Sequence, residues 1–311
     1  VVVISCPPNP YLAKLNGETG DLIWENHMNS ISGMLLGLTE IKNGNRIDYI
    51  ISGGIGSTRE RWVARLNGNT GSIIWQKSYP YAGGGEQFDT VRNVTIGSDG
   101  FIFGSGHIQA DEKDSFFVVY GGNAFIMKID PSDGSEVWTS LNTNAEFVAA
   151  HQEHSNGYLY YVADSYDEDL SLVKIDKSSG AIASTTILSS TDQIIPSDLA
   201  IGSDDYLYLG GHAGRSGPGD PFDYTSTKIA EDGSVTWTKR YANPRGYSLE
   251  YIRNELYGIK IGVDGVYLFG ASGDENPDYS EENSLYPPSD EWVGWILKTD
   301  FDGSVLRSDI I

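Results

Sequence analysis

The side chains best suited to chemistry in this chain are carboxylates gathered in short acidic stretches. Asp164, Asp167 and Asp169 fall within six residues of one another, and Asp274, Asp278 and Glu281 within eight. Clustered carboxylate and carbonyl oxygens suit hard cations, so Ca2+ is the cofactor these stretches imply. Neither stretch has the Asp-x-Asp-x-Asp-Gly run with a distal Glu of an EF-hand loop, and solvation of surface loops is the simpler use for each. Aromatic residues interleave with the acids: Phe116, Tyr120, Tyr166, Phe222, Tyr247, Tyr279, Tyr286 and Trp292. Rings beside carboxylates suit a protein surface or a glycan. His107 and His212 occupy matching places in two sequence repeats, where Asp164 and Ser272 stand in two others. Imidazole is a common metal ligand, although repeat equivalence alone explains the matching histidines. His151 and His154 flank a turn and read as surface residues.

These residues are carried by a repeat. Ala13-Lys-Leu-Asn-Gly-Glu-Thr-Gly-Asp-Leu-Ile-Trp24, Ala64-Arg-Leu-Asn-Gly-Asn-Thr-Gly-Ser-Ile-Ile-Trp75 and Met127-Lys-Ile-Asp-Pro-Ser-Asp-Gly-Ser-Glu-Val-Trp138 are three copies of a strand, glycine turn and strand. Weaker copies run from Val173 to Ala183, Thr227 to Trp237 and Leu297 to Leu306. The turn glycines recur roughly every 45 to 70 residues, too long for a solenoid coil and suited to a propeller blade. Before each copy stands an apolar pair of runs joined by Asp-Gly or Asn-Gly, as at Asp99-Gly-Phe-Ile-Phe and Asn156-Gly-Tyr-Leu-Tyr. Apolar runs bounded by such turns are strands. One repeat is therefore four antiparallel strands, A to D, with short A–B and C–D turns and long B–C segments.

The expected fold is an all-β, single β-propeller over residues 1–311, of about six four-stranded blades, with seven as the alternative. Approximate blades are 1–28, 29–79, 80–141, 142–188, 189–241 and 242–311. The first is incomplete at its N-terminal side, where Val1–Ser5 reads as strand B. A basic residue recurs in strand C (Lys14, Arg65, Lys128, Lys174, Lys228 and Lys298), and a solvated role or charge pairing between blades is its expected use.

Composition narrows the partners. The 311 residues carry 43 Asp and Glu against 21 Lys and Arg, a net charge of −22. A polyanion such as nucleic acid is repelled by that balance, and no basic run offsets it. No apolar run approaches the ~20 residues of a membrane-spanning helix. Cys6 is the single cysteine, so no internal disulfide forms. Val3-Ile-Ser-Cys6 is similar to a lipoprotein cleavage box, without the charged and apolar regions that precede one.

Asn16-Gly-Glu-Thr-Gly-Asp-Leu-Ile-Trp24 and Asn67-Gly-Asn-Thr-Gly-Ser-Ile-Ile-Trp75 resemble the tryptophan-docking motif of quinoprotein-like (PQQ-like) propeller repeats. The later repeats, such as Ser197 to Gly211 followed by Thr227 to Trp237, are similar to the bacterial SBBP-type β-propeller repeat. The resemblance spans nearly the whole chain and implies that Trp24, Trp75, Trp138 and Trp237 dock on neighbouring blades. Ser184 and Arg307 stand in the corresponding places of repeats four and six.

Function is expected on the long B–C segments, since loops on a rigid scaffold carry most binding. The leading expectation is a non-enzymatic scaffold or adhesion propeller, extracellular, at the cell surface or periplasmic, with a protein or glycan partner and a place as a subunit of a larger assembly. The alternative is a carbohydrate-binding or carbohydrate-active propeller, including a lyase or glycosidase on paired carboxylates. A quinone-dependent dehydrogenase is the third reading; the resemblance to those enzymes implies about eight blades, more than this chain holds. No Gly-x-Ser-x-Gly elbow, zinc motif or phosphate loop is present, so no catalytic residue is assigned.

Overall fold

The computed structural model describes residues 2–5, 10–28, 31–56, 60–80, 88–110, 121–165, 169–189, 194–213, 222–242, 252–274 and 292–311. The architecture is an all-β propeller, and its described regular elements are strands. The strands form a three-stranded sheet and five four-stranded sheets, each antiparallel where its register is described.

The three-stranded sheet is β1 (Val2–Ser5), β2 (Tyr11–Leu15) and β3 (Leu22–His27). Next come β4 (Gly33–Asn43), β5 (Arg46–Ile55), β6 (Glu60–Leu66) and β7 (Ile73–Tyr79). The third sheet is β8 (Phe88–Ile96), β9 (Ile102–Ala110), β10 (Asn123–Ile129) and β11 (Glu136–Asn142). The fourth is β12 (Phe147–Glu153), β13 (Tyr158–Asp164), β14 (Ser171–Asp176) and β15 (Ile182–Ile187). The fifth is β16 (Ile194–Ile201), β17 (Leu207–Ala213), β18 (Asp223–Ile229) and β19 (Val235–Tyr241). The sixth is β20 (Ile252–Gly262), β21 (Gly265–Asp274), β22 (Val293–Thr299) and β23 (Val305–Ile310). The expected count of about six four-stranded blades, or seven, is therefore corrected to five. Strands β1 to β3 form a sheet to which no fourth described strand pairs.

The chain divides into two compact units. The first comprises Val1–Glu153, Gly157–Leu159 and Lys174–Ala183; the second comprises His154–Asn156, Tyr160–Val173 and Ser184–Ile311. In the first, one core joins sheets one and two through Leu12, Trp24, Tyr49, Ile51 and Trp62. Another joins sheets two and three through Ile50, Val63, Val91, Phe125 and Met127. In the second, Tyr208, Tyr224, Leu256, Leu268 and Trp295 join sheets five and six.

Burial explains the pattern of each strand. Second and third strands lie between neighbouring sheets and are buried on both faces, so β9 and β17 are buried almost throughout. Fourth strands lie at an edge of their sheets, and β15 and β23 are exposed along nearly their whole length. The first strands of four sheets carry bulges against their second strands, at Leu35/Gly37, Val91/Asn93, Pro196/Asp198 and Leu256/Gly258. A bulge twists and bends its strand locally.

Neighbouring sheets are joined by a repeated contact. The Trp24 ring lies on Gly71 of the next C–D turn and its Nε1 donates to Gly68 O at 3.1 Å. Trp75 lies on Gly134 and donates to Pro131 O at 3.0 Å. Trp138 lies on Gly180 and Trp237 on Gly303. In sheet four, which has Ser184 in the tryptophan's place, Thr186 takes over: its methyl lies on Gly233 and its hydroxyl donates to Asp232 O at 3.3 Å. Asn26, at the matching position two residues past Trp24, donates to Gly71 O at 2.8 Å.

Candidate functional site

The basic residues of the third strands hold the sheets together. Lys128 Nζ lies 2.8 Å from Asp99 Oδ2, a residue of its own A–B turn, and donates to Lys177 O of the following sheet. Lys228 pairs with Asp204 at 2.8 Å and donates to Phe301 O. Arg65 pairs with Asp48 at 2.8 Å and donates to Pro131 O, while Lys14 donates to Gly68 O. Lys298 pairs with Asp264. Asp48 is wholly buried and accepts from Arg46, Arg65, Asn43 and the Gly68 N–H. Burial alone would raise its pKa, yet the two guanidinium groups and the two amides outweigh it and hold the carboxyl well below the usual range. These charges therefore form a frame.

His151 and His154 correct the expectation of surface residues, because both are buried. His151, on β12, places Nε2 2.8 Å from Thr95 Oγ1 and Nδ1 2.7 Å from Ser105 Oγ of the preceding sheet. Burial pushes its pKa down to about 3, so it is neutral at ordinary pH. The Ser105–His151 pair has the spacing of a nucleophile and base, yet both side chains are wholly buried, and the pair works as a joint. His154 Nε2 lies 2.9 Å from Asp205 O.

The ends of the second strands, where the long B–C segments leave, carry a different set of residues. In the first unit, Asp89 Oδ1 accepts the Gln109 N–H at 2.7 Å, and Gln109 holds a left-handed φ of +58°. Burial raises the Asp89 pKa against the pull of that N–H and of Arg61. Arg61 is itself buried, stacked over Phe125 at 4.9 Å and donating to Tyr79 O. A non-glycine residue in the left-handed region beside a buried carboxylate is a local departure of the kind that collects at functional sites. Sequence reasoning missed this cluster, since nothing in Gln109 itself announces its φ.

In the second unit, the same strand end gathers His212, Phe222, Asn254, Ser272 and Trp292. The Phe222 ring lies 5.2 Å from His212. Phe222 O accepts both the backbone N–H and the side-chain amide of Asn254, at 2.9 and 3.0 Å. Asn254 faces Ser272 across the β20–β21 ladder, and both are buried. Beside Ser272, the Trp292 indole lies flat on Gly273, where a Cβ would collide with the ring, and keeps 37% of its surface exposed. A ring held flat on backbone with one face open is a preformed apolar platform.

Of the residues singled out in the sequence for partner binding, Phe222 and Trp292 are described here, Phe222 bonded to Asn254 and Trp292 on Gly273, beside Asn254's ladder partner Ser272. Phe116, Tyr120, Tyr166, Tyr247, Tyr279 and Tyr286 lie outside the described residues. Of the acidic set, Asp164 is wholly buried, Asp169 partly buried, and Asp274 ends β21. Asp167, Asp278 and Glu281 lie outside the described residues. Among the described residues no three His, Cys, Asp or Glu side chains form a metal-ligand group.

The family described as "Outer membrane protein assembly factor BamB" matches residues 59–256, more than half of the chain. The chain belongs to this PQQ-like propeller family. No curated protein sequence matches this PQQ-like chain. Solved structures of similar fold include a luciferin-regenerating enzyme, at 10% identity and TM-score 0.55, covering 93% of this chain and 86% of that one. Apocarotenoid oxygenase of Synechocystis gives 11% identity and TM-score 0.54, covering 100% and 69%. PQQ-bound aldose sugar dehydrogenase of Streptomyces coelicolor gives 12% and 0.50, covering 92% and 87%. At these identities the likeness establishes the propeller fold alone. The quinone in the family's name is a flat, acidic molecule, and the cations Arg65, Lys128 and Lys228 are committed to carboxylates of their own sheets and to carbonyls of the following ones. Among the described residues no helix is long and apolar enough to cross a membrane.

Proposed function

We propose that this PQQ-like propeller is a non-enzymatic binding scaffold, located outside the cytoplasm, that holds a protein partner on its long-segment face. The observation that carries the reading is the Trp292 platform, 37% exposed on Gly273 and next in sequence to Ser272, the ladder partner of Asn254. Rigid aromatic anchors beside polar groups dominate protein-binding surfaces. The family's description as an outer-membrane protein assembly factor supports the same reading, as does the acidic balance, which attracts basic partners.

The test is a photo-crosslinking amino acid at position 292, with position 22 on the far side of the repeat as control, followed by identification of the captured protein. The scaffold reading expects one protein captured at 292 and not at 22. Equal capture at both positions overturns it. An aromatic platform also stacks on sugar rings, so a carbohydrate-binding propeller is the second reading. A glycan-array signal abolished by Trp292→Ala would replace the first reading with the second. Ca2+ is proposed as the ligand of the acidic segments on the strength of the sequence. A melting temperature unchanged between EDTA and excess Ca2+ overturns that assignment, and a rise with Ca2+ supports it.

A further inference from the structure

We infer that the outer edge of β15 is a docking edge that takes an added strand from a basic protein partner. β15 is the last strand of its sheet, and five of its six residues, Ile-Ala-Ser-Thr-Thr-Ile, are exposed. A strand at an edge presents unpaired N–H and C=O groups, and natural edges are guarded by charge, proline or distortion. The last strand of every other sheet carries charge: β3 has Glu25, β7 Lys77, β11 Glu136, β19 Lys239 and β23 Arg307. β15 has neither charge nor proline. It is also the strand in which Ser184 replaces the docking tryptophan, which leaves a low side-chain profile along the edge.

The residues present favour pairing. Ile182, Thr185, Thr186 and Ile187 are β-branched and suit a pleated surface. Ile182 and Ile187 are exposed apolar anchors at the two ends, 43% and 64% accessible. Charge selects the occupant. A second copy brings another −22, so self-pairing is opposed by repulsion. Beside the edge, the Thr186 hydroxyl donates to Asp232 O, and Asp232 and Glu231 are exposed acids. An extended segment flanked by lysine or arginine matches both the edge and its border, which is the β-augmentation mode of recognition. This surface is separate from the Trp292 platform, and the inference stands whether or not that platform holds a partner.

The probe is the capped peptide Lys-Thr-Val-Thr-Val-Thr-Lys, fluorescently labelled and titrated against the full chain, with amide hydrogen exchange read at 182–187. Saturating peptide is expected to slow exchange there by about fivefold or more while leaving the charged edge β11 unchanged. Thr185→Lys and Ser184→Lys, one on each face of the strand, are expected to weaken binding by about tenfold, with melting within about 2 °C of wild type. Binding without protection at 182–187, or equal affinity in both variants, overturns the proposal. A peptide with glutamate in place of both lysines binding as tightly overturns the basic partner. Protection of 182–187 that grows with protein concentration and no peptide assigns the edge to a second copy instead.

Discussion

Alanine at Gly71 and at Gly20 separates two costs that the docking turns combine. Both glycines close C–D turns of one pattern, Asn-Gly-x-Thr-Gly, with φ of +70° and +76°. A Cβ in the left-handed region costs about 1–2 kcal/mol in either turn. At Gly20 the added methyl meets no described atom within 4 Å, so Gly20→Ala carries the backbone cost alone. At Gly71 it stands 2.6 Å from Trp24 Cε3 and 2.9 Å from Cδ2, well inside the roughly 3.5 Å of a comfortable carbon contact. The indole cannot simply retreat, because it is buried and its Nε1 is held by Gly68 O. Overpacking of this kind adds about 1–3 kcal/mol, which brings Gly71→Ala to about 2–5 kcal/mol in total. Urea unfolding followed by tryptophan fluorescence measures both variants, with the slope checked for unchanged cooperativity. The expected result is a difference of about 1–3 kcal/mol between them, or roughly 2 °C in melting temperature per kcal/mol for a chain of this size. Equal destabilisation would show that Trp24 does not bear on the turn, and the docking argument would fall with it.

Three further outcomes follow from the joints between sheets. Because folded His151 stays neutral down to about pH 3 while an unfolded histidine titrates near 6.5, the unfolded chain takes up the extra proton and stability falls as pH drops through that window. At pH 5 the loss is about 2 kcal/mol, and a His151→Asn variant should lack that component in stability-against-pH curves. Asp48→Asn should cost about 3 kcal/mol at pH 7, since it leaves buried cations without their partner. Its depressed pKa means the wild-type advantage is complete above the usual carboxylate pKa of 3.8 and fades only as pH falls below it; a gap that closes already at pH 6 would contradict the assignment. Tyr79→Phe and Tyr241→Phe each remove a hydroxyl bonded to the next turn, on Gly134 O at 2.8 Å and Gly303 O at 2.9 Å. Each should cost about 1 kcal/mol in chemical denaturation.

The C–D turns were legible because their chemistry is local. An Asn or Asp that accepts its own turn's N–H groups, as Asn16 and Asp176 do, and a glycine at positive φ announce themselves over five residues. The role of the strand C cations was legible only in part: Lys128 and Lys228 pair with an Asp of their own sheet's A–B turn rather than with a neighbouring blade, and what they reach in the next sheet is a backbone carbonyl. The number of four-stranded blades was not, because the first repeat was counted with the others, whereas its described sheet holds the three strands β1 to β3. His151 was misread for another reason: its partners, Thr95 and Ser105, lie 56 and 46 residues away, and a polar residue on a strand looks solvent-facing until its neighbour is known. Thr186 escaped notice because attention fell on Ser184, the tryptophan's own position, while contact with Gly233 is made two residues later. Trp292 and Phe222 were found by residue type, but the backbone at Gly273 that lays the indole flat was not foreseen.

The tryptophan joint has a polarity that bears on how such a chain can change length. In each described case the last strand of one sheet reaches forward to the turn of the next, as Trp24 does to Gly71 and Trp75 to Gly134. A joint of this kind is a plug and socket rather than a handshake: in the five described joints the last strand supplies the plug and the following C–D turn the socket, and neither half recognises itself. Tandem duplication of a repeat therefore supplies both halves of a new joint in a single event, with nearest-neighbour energetics like those of other repeat proteins. Loss of a tryptophan, as in sheet four, is then a local matter between two modules, and the socket at Gly233 can be refitted by as small a plug as Thr186.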